Sequence, residues 1–279
     1  MTSDSAPFRL RTFCETAGVT LALFDHPDGA PIEDSEEPAD GRFQINVVER
    51  GWFRLGYEGK EWELGAGSVF LSRPGDVYRY AHAPHAEPDV CLSLTFADSL
   101  SRGLEDVFHR TPLVAPATNR LAFLRLKLES CAADRDPTPL DALACELLFA
   151  AEGSGAAQRR LHRPRQLRWY AQRITAAREM IDASPADDHS LWRLASHVAM
   201  SPFLFARVFK ELVGVPPHRY LIRARLERAR ALLESGTSVT EACYTTGFNN
   251  LSHFIRTFRA HFGHTPSALR TPGHGQRER

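Results

Sequence analysis

The stretch Gly247-Phe248-Asn249-Asn250-Leu251-Ser252-His253-Phe254-Ile255-Arg256-Thr257-Phe258-Arg259, closed by Phe262-Gly263-His264-Thr265-Pro266, decides how this chain folds. Phe254 and Phe258 stand at i and i+4, so they share one helical face and can anchor a core. Arg256 and Arg259 point elsewhere. Gly263 is placed to end the helix, and Pro266 prevents its resumption. The same pattern occurs earlier as Phe205-Ala206-Arg207-Val208-Phe209-Lys210, followed by Gly214 and Pro216-Pro217. The chain therefore contains a diverged internal repeat.

Each copy has a shorter helix in front of it. Leu191–Ala195 leads through Val198-Ala199-Met200 to Ser201-Pro202, and Val239–Cys243 leads through Thr246-Gly247-Phe248 to Asn249-Asn250. The small residues Ala195 and Cys243 let two helices cross closely. A tight turn follows, and a capping residue opens the second helix. This is the chemistry of a helix-turn-helix, whose second helix lies in the major groove of DNA. Between the copies, Pro217–Leu233 predicts a long helix with Leu221, Leu226, Ala229 and Leu233 apolar and five arginines around them. Such a helix can hold two reading elements at fixed separation, matching major-groove faces that recur every ~34 Å.

Upstream, Leu167, Tyr170, Ile174, Ala177 and Ile181 form one more helical stripe. Residues 151–165 are rich in Gly, Ser, Ala and Arg and predict a linker. Leu121, Leu124 and Leu128, then Leu140, Leu143 and Leu147, predict two helices within 118–150, broken at Asp136-Pro137-Thr138-Pro139. Residues 1–115 alternate in short runs punctuated by glycine, which predicts antiparallel strands and tight turns. The acidic stretch Ile32–Asp40 predicts a solvated loop. The expected layout is a sensing domain at 1–150, a linker at 151–165, a DNA-binding domain at 166–271 and a disordered tail at 272–279.

A net charge of zero hides a division. Residues 1–157 hold 14 basic and 25 acidic side chains, whereas residues 158–279 hold 20 and 9. A basic half of this kind suits a polyanion. No apolar run reaches the roughly 18–20 residues of a membrane span, and Met1–Leu10 has no basic start followed by an apolar block, so no secretory signal is expected. The five cysteines are scattered and form no CxxC pair, which suggests reduced thiols and a cytoplasmic location.

The order GF, S-H-F-x-R-x-F-R and FG-x-T-P over residues 247–266, with its counterpart from Ser201 to Leu221, resembles the DNA-binding domain of the AraC/XylS family of transcription regulators. Ala242-Cys243 in place of Ile-Ala and Ala199 in place of glycine are departures, both by small residues. The resemblance implies base contacts from Phe203, Ala206 and Arg207 in the first unit and from Leu251, Ser252 and Arg256 in the second. Ser201, Lys210, Asn249, Asn250 and Arg259 are then expected on phosphates, because phosphate contacts position and base contacts specify.

Gly65–Leu71 and Pro74–Tyr78 resemble the cupin-like effector domain of the same family. Phe43–Val48 has no histidine, and Tyr78 stands where metal-binding cupins place one, so no metal, cofactor or enzymatic activity is expected. His82, His85 and Cys91 form only a loose cluster. Trp52, Tyr57, Trp62, Phe70, Tyr78, Tyr80 and Phe96 offer aromatic surface for a small-molecule pocket. The expected fold is α+β in two domains: an antiparallel cupin-like β-barrel followed by two helices, then an all-α domain with two helix-turn-helix units. The expected function is a sequence-specific, effector-responsive regulator of transcription. Its partners would be promoter DNA and an unknown small molecule, with RNA polymerase and a second copy of the chain as candidates and no membrane. The alternatives are a DNA-binding protein without an effector and a cupin-type metalloenzyme with a helical appendage.

Overall fold

The structure is a computed structural model that describes residues 9–25, 35–38, 41–82, 89–154 and 161–269. The chain divides into two compact units, Met1–Arg168 and Trp169–Arg279. The tail expected at 272–279 lies outside the described residues, as do residues 155–160 of the expected linker.

The first unit begins with β1 (Arg9–Glu15), β2 (Val19–Asp25), β3 (Ser35–Pro38), β4 (Gln44–Arg50), β5 (Trp52–Tyr57), β6 (Lys60–Gly65), β7 (Val69–Ser72), β8 (Val77–Ala81) and β9 (Val90–Phe96). Helices α1 (Asp98–Ser101) and α2 (Glu105–Arg110), strand β10 (Val114–Ala115), and helices α3 (Asn119–Asp134) and α4 (Leu140–Glu152) complete it. All strand pairs are antiparallel. One sheet has the order β1-β2-β9-β4-β7-β10, and the other β3-β8-β5-β6. Part of the acidic stretch expected as a loop is strand β3, paired with β8 from Ser35–Tyr80 to Pro38–Val77. An edge strand uses only half of its backbone groups, so it tolerates charge and proline that a central strand would not.

The six-stranded sheet is covered on both faces. Towards the helices it presents Leu21, Ile45, Val47, Leu71, Leu94 and Phe96, all fully buried. Phe108 of α2 lies 4.4 Å from Phe43 and 5.0 Å from Phe96, ring centre to ring centre. Thr16 in the β1–β2 turn donates to Asp141 of α4, which fixes the start of that helix against the sheet. Towards the smaller sheet, Val48, Phe70 and Cys91 pack with Phe53, Leu55, Leu64 and Tyr78. The α3–α4 break falls where the prolines predicted it. Thr118 caps α3 by accepting from Leu121 N, and Thr138 N donates to Asp136 beyond its end.

The second unit is helical: α5 (Pro164–Ala183, which starts just inside the first unit), α6 (Leu191–His197), α7 (Pro202–Val213), α8 (Pro217–Glu234), α9 (Val239–Thr245), α10 (Leu251–Phe262) and α11 (Pro266–Leu269). The predicted α5 stripe of Leu167, Tyr170, Ile174, Ala177 and Ile181 is buried throughout. No helix among the described residues is long and apolar enough to cross a membrane.

Candidate nucleic-acid interface

The first helix-turn-helix is α6 and α7. Ser190 caps α6 by accepting from Arg193 N at 3.3 Å, and Ser201 caps α7 by accepting from Leu204 N at 3.4 Å. Pro202 occupies the first turn, where a missing N–H costs nothing. Gly214 ends α7 in the left-handed region and returns its N–H to Lys210 O. Phe205 and Phe209 are fully buried and meet edge-on at 5.4 Å. The intervening turn places Ala199 at φ 51°, a conformation that costs an L-residue about 1–2 kcal/mol. Met200 N–H, bonded to Ala195 O at 2.9 Å, holds it there.

The second helix-turn-helix, α9 and α10, repeats this construction. Ser238 caps α9, and Asn250 caps α10 by accepting from His253 N at 2.8 Å. Phe248 N–H returns to Cys243 O as Met200 N–H does to Ala195 O. Thr246 is fully buried and donates its hydroxyl to Ala242 O at 2.7 Å, satisfying an end carbonyl of α9. The second turn is one residue longer than the first. Asn249 is the extra residue, because Gly247 takes the place of Ala199 whereas Asn250 takes the place of Ser201.

That insertion changes which residues correspond. Counted back from the capping glycines, Phe203 matches Ser252, Ala206 matches Ile255, Arg207 matches Arg256 and Lys210 matches Arg259. Phe203 is 81% exposed, and Arg207, Lys210, Ser252, Arg256 and Arg259 are exposed as well. Ala206 is half-buried. Leu251, expected among the base-facing residues, packs on the core formed by Phe248, Phe254 and Phe258. Ile255, 36% exposed, holds the outward position instead. The sequence reading, which paired the copies through their phenylalanines and glycines, placed Leu251 on that face and passed over Ile255. Ser252, Ile255, Arg256 and Arg259 line a shallow groove along α10.

Among the described residues, Arg207, Lys210, Arg256 and Arg259 form no ion pair. The side-chain oxygens of Ser201 and Asn250 already serve their helices. The Ser201 hydroxyl proton and the Asn250 amide protons remain for a phosphate oxygen. Asn249 is exposed beside them.

Helix α8 joins the two helix-turn-helix elements, both within the second compact unit. Its N-terminal half belongs to the first: Tyr220 packs on Phe209 at 5.6 Å, accepts from Arg178 and donates to Asp182 at 2.8 Å. Its C-terminal half supplies Leu226, Ala229 and Leu233 to the core of the second. The α8 arginines divide accordingly. Arg219, Arg223 and Arg228 are exposed. Arg230 pairs with Glu234 at 2.8 Å and lies over Phe262. Arg225 is half-buried and donates to three backbone carbonyls: Pro185 O at 2.8 Å, Gly247 O at 2.8 Å and Asp187 O at 3.0 Å.

In the first unit, the seven expected pocket aromatics separate. Phe70 and Tyr78 are buried between the sheets, with Tyr57, Trp62 and Tyr80 packed against them. Trp52 is exposed, and Phe96 faces the helices against Phe108. A polar region lies on the same inward face of the larger sheet as Phe70. Gln44, Asn46, Ser72, Ser93 and Thr95 share that face by register. Asn46 donates to Ser72 at 3.1 Å and Gln44 to Thr95 at 3.3 Å. The Ser93 hydroxyl is fully buried and has no hydrogen-bond partner among the described residues. Nearby, His82 Nε2 lies 2.6 Å from Asp89 Oδ1, and the Cys91 thiol faces the other carboxylate oxygen at 3.8 Å. Burial and the Asp89 charge push that thiol well above its ordinary pKa. Among the described residues, no group of three or more His, Cys, Asp or Glu could hold a metal ion. His85 lies outside the described residues.

Two family models match this chain. A helix-turn-helix domain covers residues 194–271 and an AraC-like ligand binding domain covers residues 35–109. The chain carries the two domains of AraC-type regulators. Its relatives include the regulatory protein PocR of Salmonella typhimurium, 35% identical over 99 residues, which cover 35% of this chain and 33% of PocR. The transcriptional activator RhaS of Escherichia coli O139:H28 is 35% identical over 101 residues, 36% of each chain. RhaS of Citrobacter koseri is 28% identical over 246 residues, 81% of this chain and 84% of that one. The chain thus spans about a third of the length of the first two and most of the third. The two domains supply both halves of the layout read from the sequence: antiparallel sheets followed by helices, then a helical domain with helix-turn-helix units.

Proposed function

We propose that this chain is a sequence-specific DNA-binding regulator of transcription that answers to a small molecule held in its N-terminal domain. The observation that carries the reading is the pair of equivalent outward faces on α7 and α10, each with cations that no carboxylate among the described residues neutralises. Arg207 and Arg256 suit guanine, whose O6 and N7 match the guanidinium fork. Phe203, Ala206 and Ile255 suit the thymine methyl, and Ser252 a base edge. Lys210, Arg259, Ser201, Asn249 and Asn250 suit phosphates.

Titrating the full chain against duplex libraries at several salt concentrations tests this. Arg256→Ala is expected to relax preference at one base position, at ~1–3 kcal/mol of discrimination. Lys210→Ala is expected to weaken all sequences alike and to lower the salt slope by about one. Equal losses on selected and random DNA for Arg256→Ala would remove it from base reading. Absence of salt-dependent binding by the wild type would end the proposal.

For the effector, the polar floor of Gln44, Asn46, Ser72, Ser93 and Thr95 supports the reading better than the aromatic cluster, which is packed core. Buried polar groups are costly unless paired, and an unpaired Ser93 hydroxyl suits a neutral ligand with hydroxyl or amide groups. A thermal-shift panel of neutral polyols and amides should yield compounds that raise the melting temperature of the wild type and not of Ser93→Val. Equal stabilisation of both would move the site elsewhere. The name of RhaS, an activator, favours activation, and hence contact with RNA polymerase. A second copy of the chain, docked through α3 and α4, would appear in sedimentation as a concentration-dependent mass.

A further inference from the structure

The two helix-turn-helix units need a defined mutual orientation if one chain is to read two successive turns of a groove. Their cores do not provide it. The core of the second consists of Leu226, Ala229, Leu233, Ala242, Cys243, Phe248, Phe254 and Phe258, with no residue from α5, α6 or α7. The first unit holds the other half of α8 through Phe209, Tyr220 and buried Leu221. Helix α8 alone would therefore act as a single lever between two separately packed ends, and a lever resists bending and twisting poorly without a lateral tie.

Arg225 lies between Leu221 and Leu226, where α8 passes from one core to the other. Its guanidinium reaches sideways in both directions. Nε donates to Pro185 O and Nη2 to Asp187 O, in the segment that feeds α6 of the first unit. Nη1 donates to Gly247 O, in the turn between α9 and α10 of the second. The feeding segment is itself held. Buried His189 bonds Ser184 O at 2.7 Å, and Arg193 pairs with Asp188 at 3.4 Å. The backbones approach so closely that a Cβ on Gly247 would stand 2.7 Å from Ala186 O and 2.9 Å from Arg225 Cζ.

We propose that Arg225 is a positioning residue: its three-way clamp holds the reading helices α7 and α10 at a fixed mutual angle and thereby sets the separation of the two base blocks that the protein accepts. This rests on the DNA-binding reading above only for its second half. A planar fork with donors in fixed directions suits the task, because it can bind several carbonyls at once without rotating. An ammonium in its place is a point charge with no fixed directions.

The test has two arms, both on the full chain. In the first, spin labels at positions 207 and 256, attached by chemistry other than thiols because the chain has free cysteines, report the distance between the reading helices without DNA. Wild type should give one narrow distribution. Arg225→Met should broaden it about twofold, and Arg225→Lys should fall between. In the second arm, unlabelled protein selects from a random duplex library. Wild type should enrich two base blocks at one separation, favoured about tenfold over separations one base pair away. Arg225→Met should keep both blocks and lose most of that preference, to about threefold or less. Wild-type distance widths and a single separation in Arg225→Met would overturn the proposal. If Arg225→Met does not fold, a folded Arg225→Lys with wild-type behaviour in both arms overturns it instead. If wild type selects no sequence, the DNA reading fails, and the distance arm still decides whether Arg225 braces the helices.

Discussion

Gly247→Ala is expected to destabilise the C-terminal domain by roughly 2–4 kcal/mol. Two costs add. Gly247 has φ +85°, where an L-residue is strained by about 1–2 kcal/mol. The new methyl would also meet Ala186 O at 2.7 Å and Arg225 at 2.9 Å. Backbone on one side and a clamped guanidinium on the other leave little room to yield. The equivalent turn tolerates Ala199 at φ 51°, so the strain alone is survivable, and the close approach is what separates the two turns. Measured by urea unfolding of the full chain, a loss below about 1 kcal/mol would show that the junction is softer than its geometry.

Phe258→Ala should cost still more, about 3–5 kcal/mol. Phe258 is fully buried, with Phe254 at 5.6 Å, Phe262 at 4.6 Å and His264 at 6.0 Å, ring centre to ring centre. Removing the ring leaves a cavity where α10 meets its own continuation, and small domains rarely have more than ~5–15 kcal/mol to lose. The helical circular dichroism of the domain should then melt roughly 10 °C or more below that of the wild type. Ile255→Ala, on the exposed flank of the same helix, is the matched comparison. It should change stability by about 0.5 kcal/mol or less while altering base preference. Comparable destabilisation by the two substitutions would mean that the assigned inner and outer faces of α10 are wrong.

The helical half of the molecule was legible because helices announce themselves locally. The i, i+4 phenylalanines, the capping Ser201 and Asn250 and the stop glycines each act within a turn or two of where they stand. Leu251 was expected to face outward, but it stands three residues before Phe254, on the same side of the helix, and packs on that core. The sheets were less legible. Alternation in Gln44–Val47 and Leu92–Thr95 suggests strands with one wet face, yet Ser93 is fully buried. A dry polar face and a solvent face look identical in sequence. The destination of Arg225 was not readable at all. Five arginines on α8 reveal charge, whereas the acceptors of this one are main-chain carbonyls, which every residue has.

Because the core of the second helix-turn-helix takes no residue from α5, α6 or α7, an outward side chain can change on one reading helix without repacking the other. The two ends of a target site can then drift separately over evolutionary time, one promoter block at a time, as long as the distance between the blocks is kept. A chain built this way can be retargeted by halves.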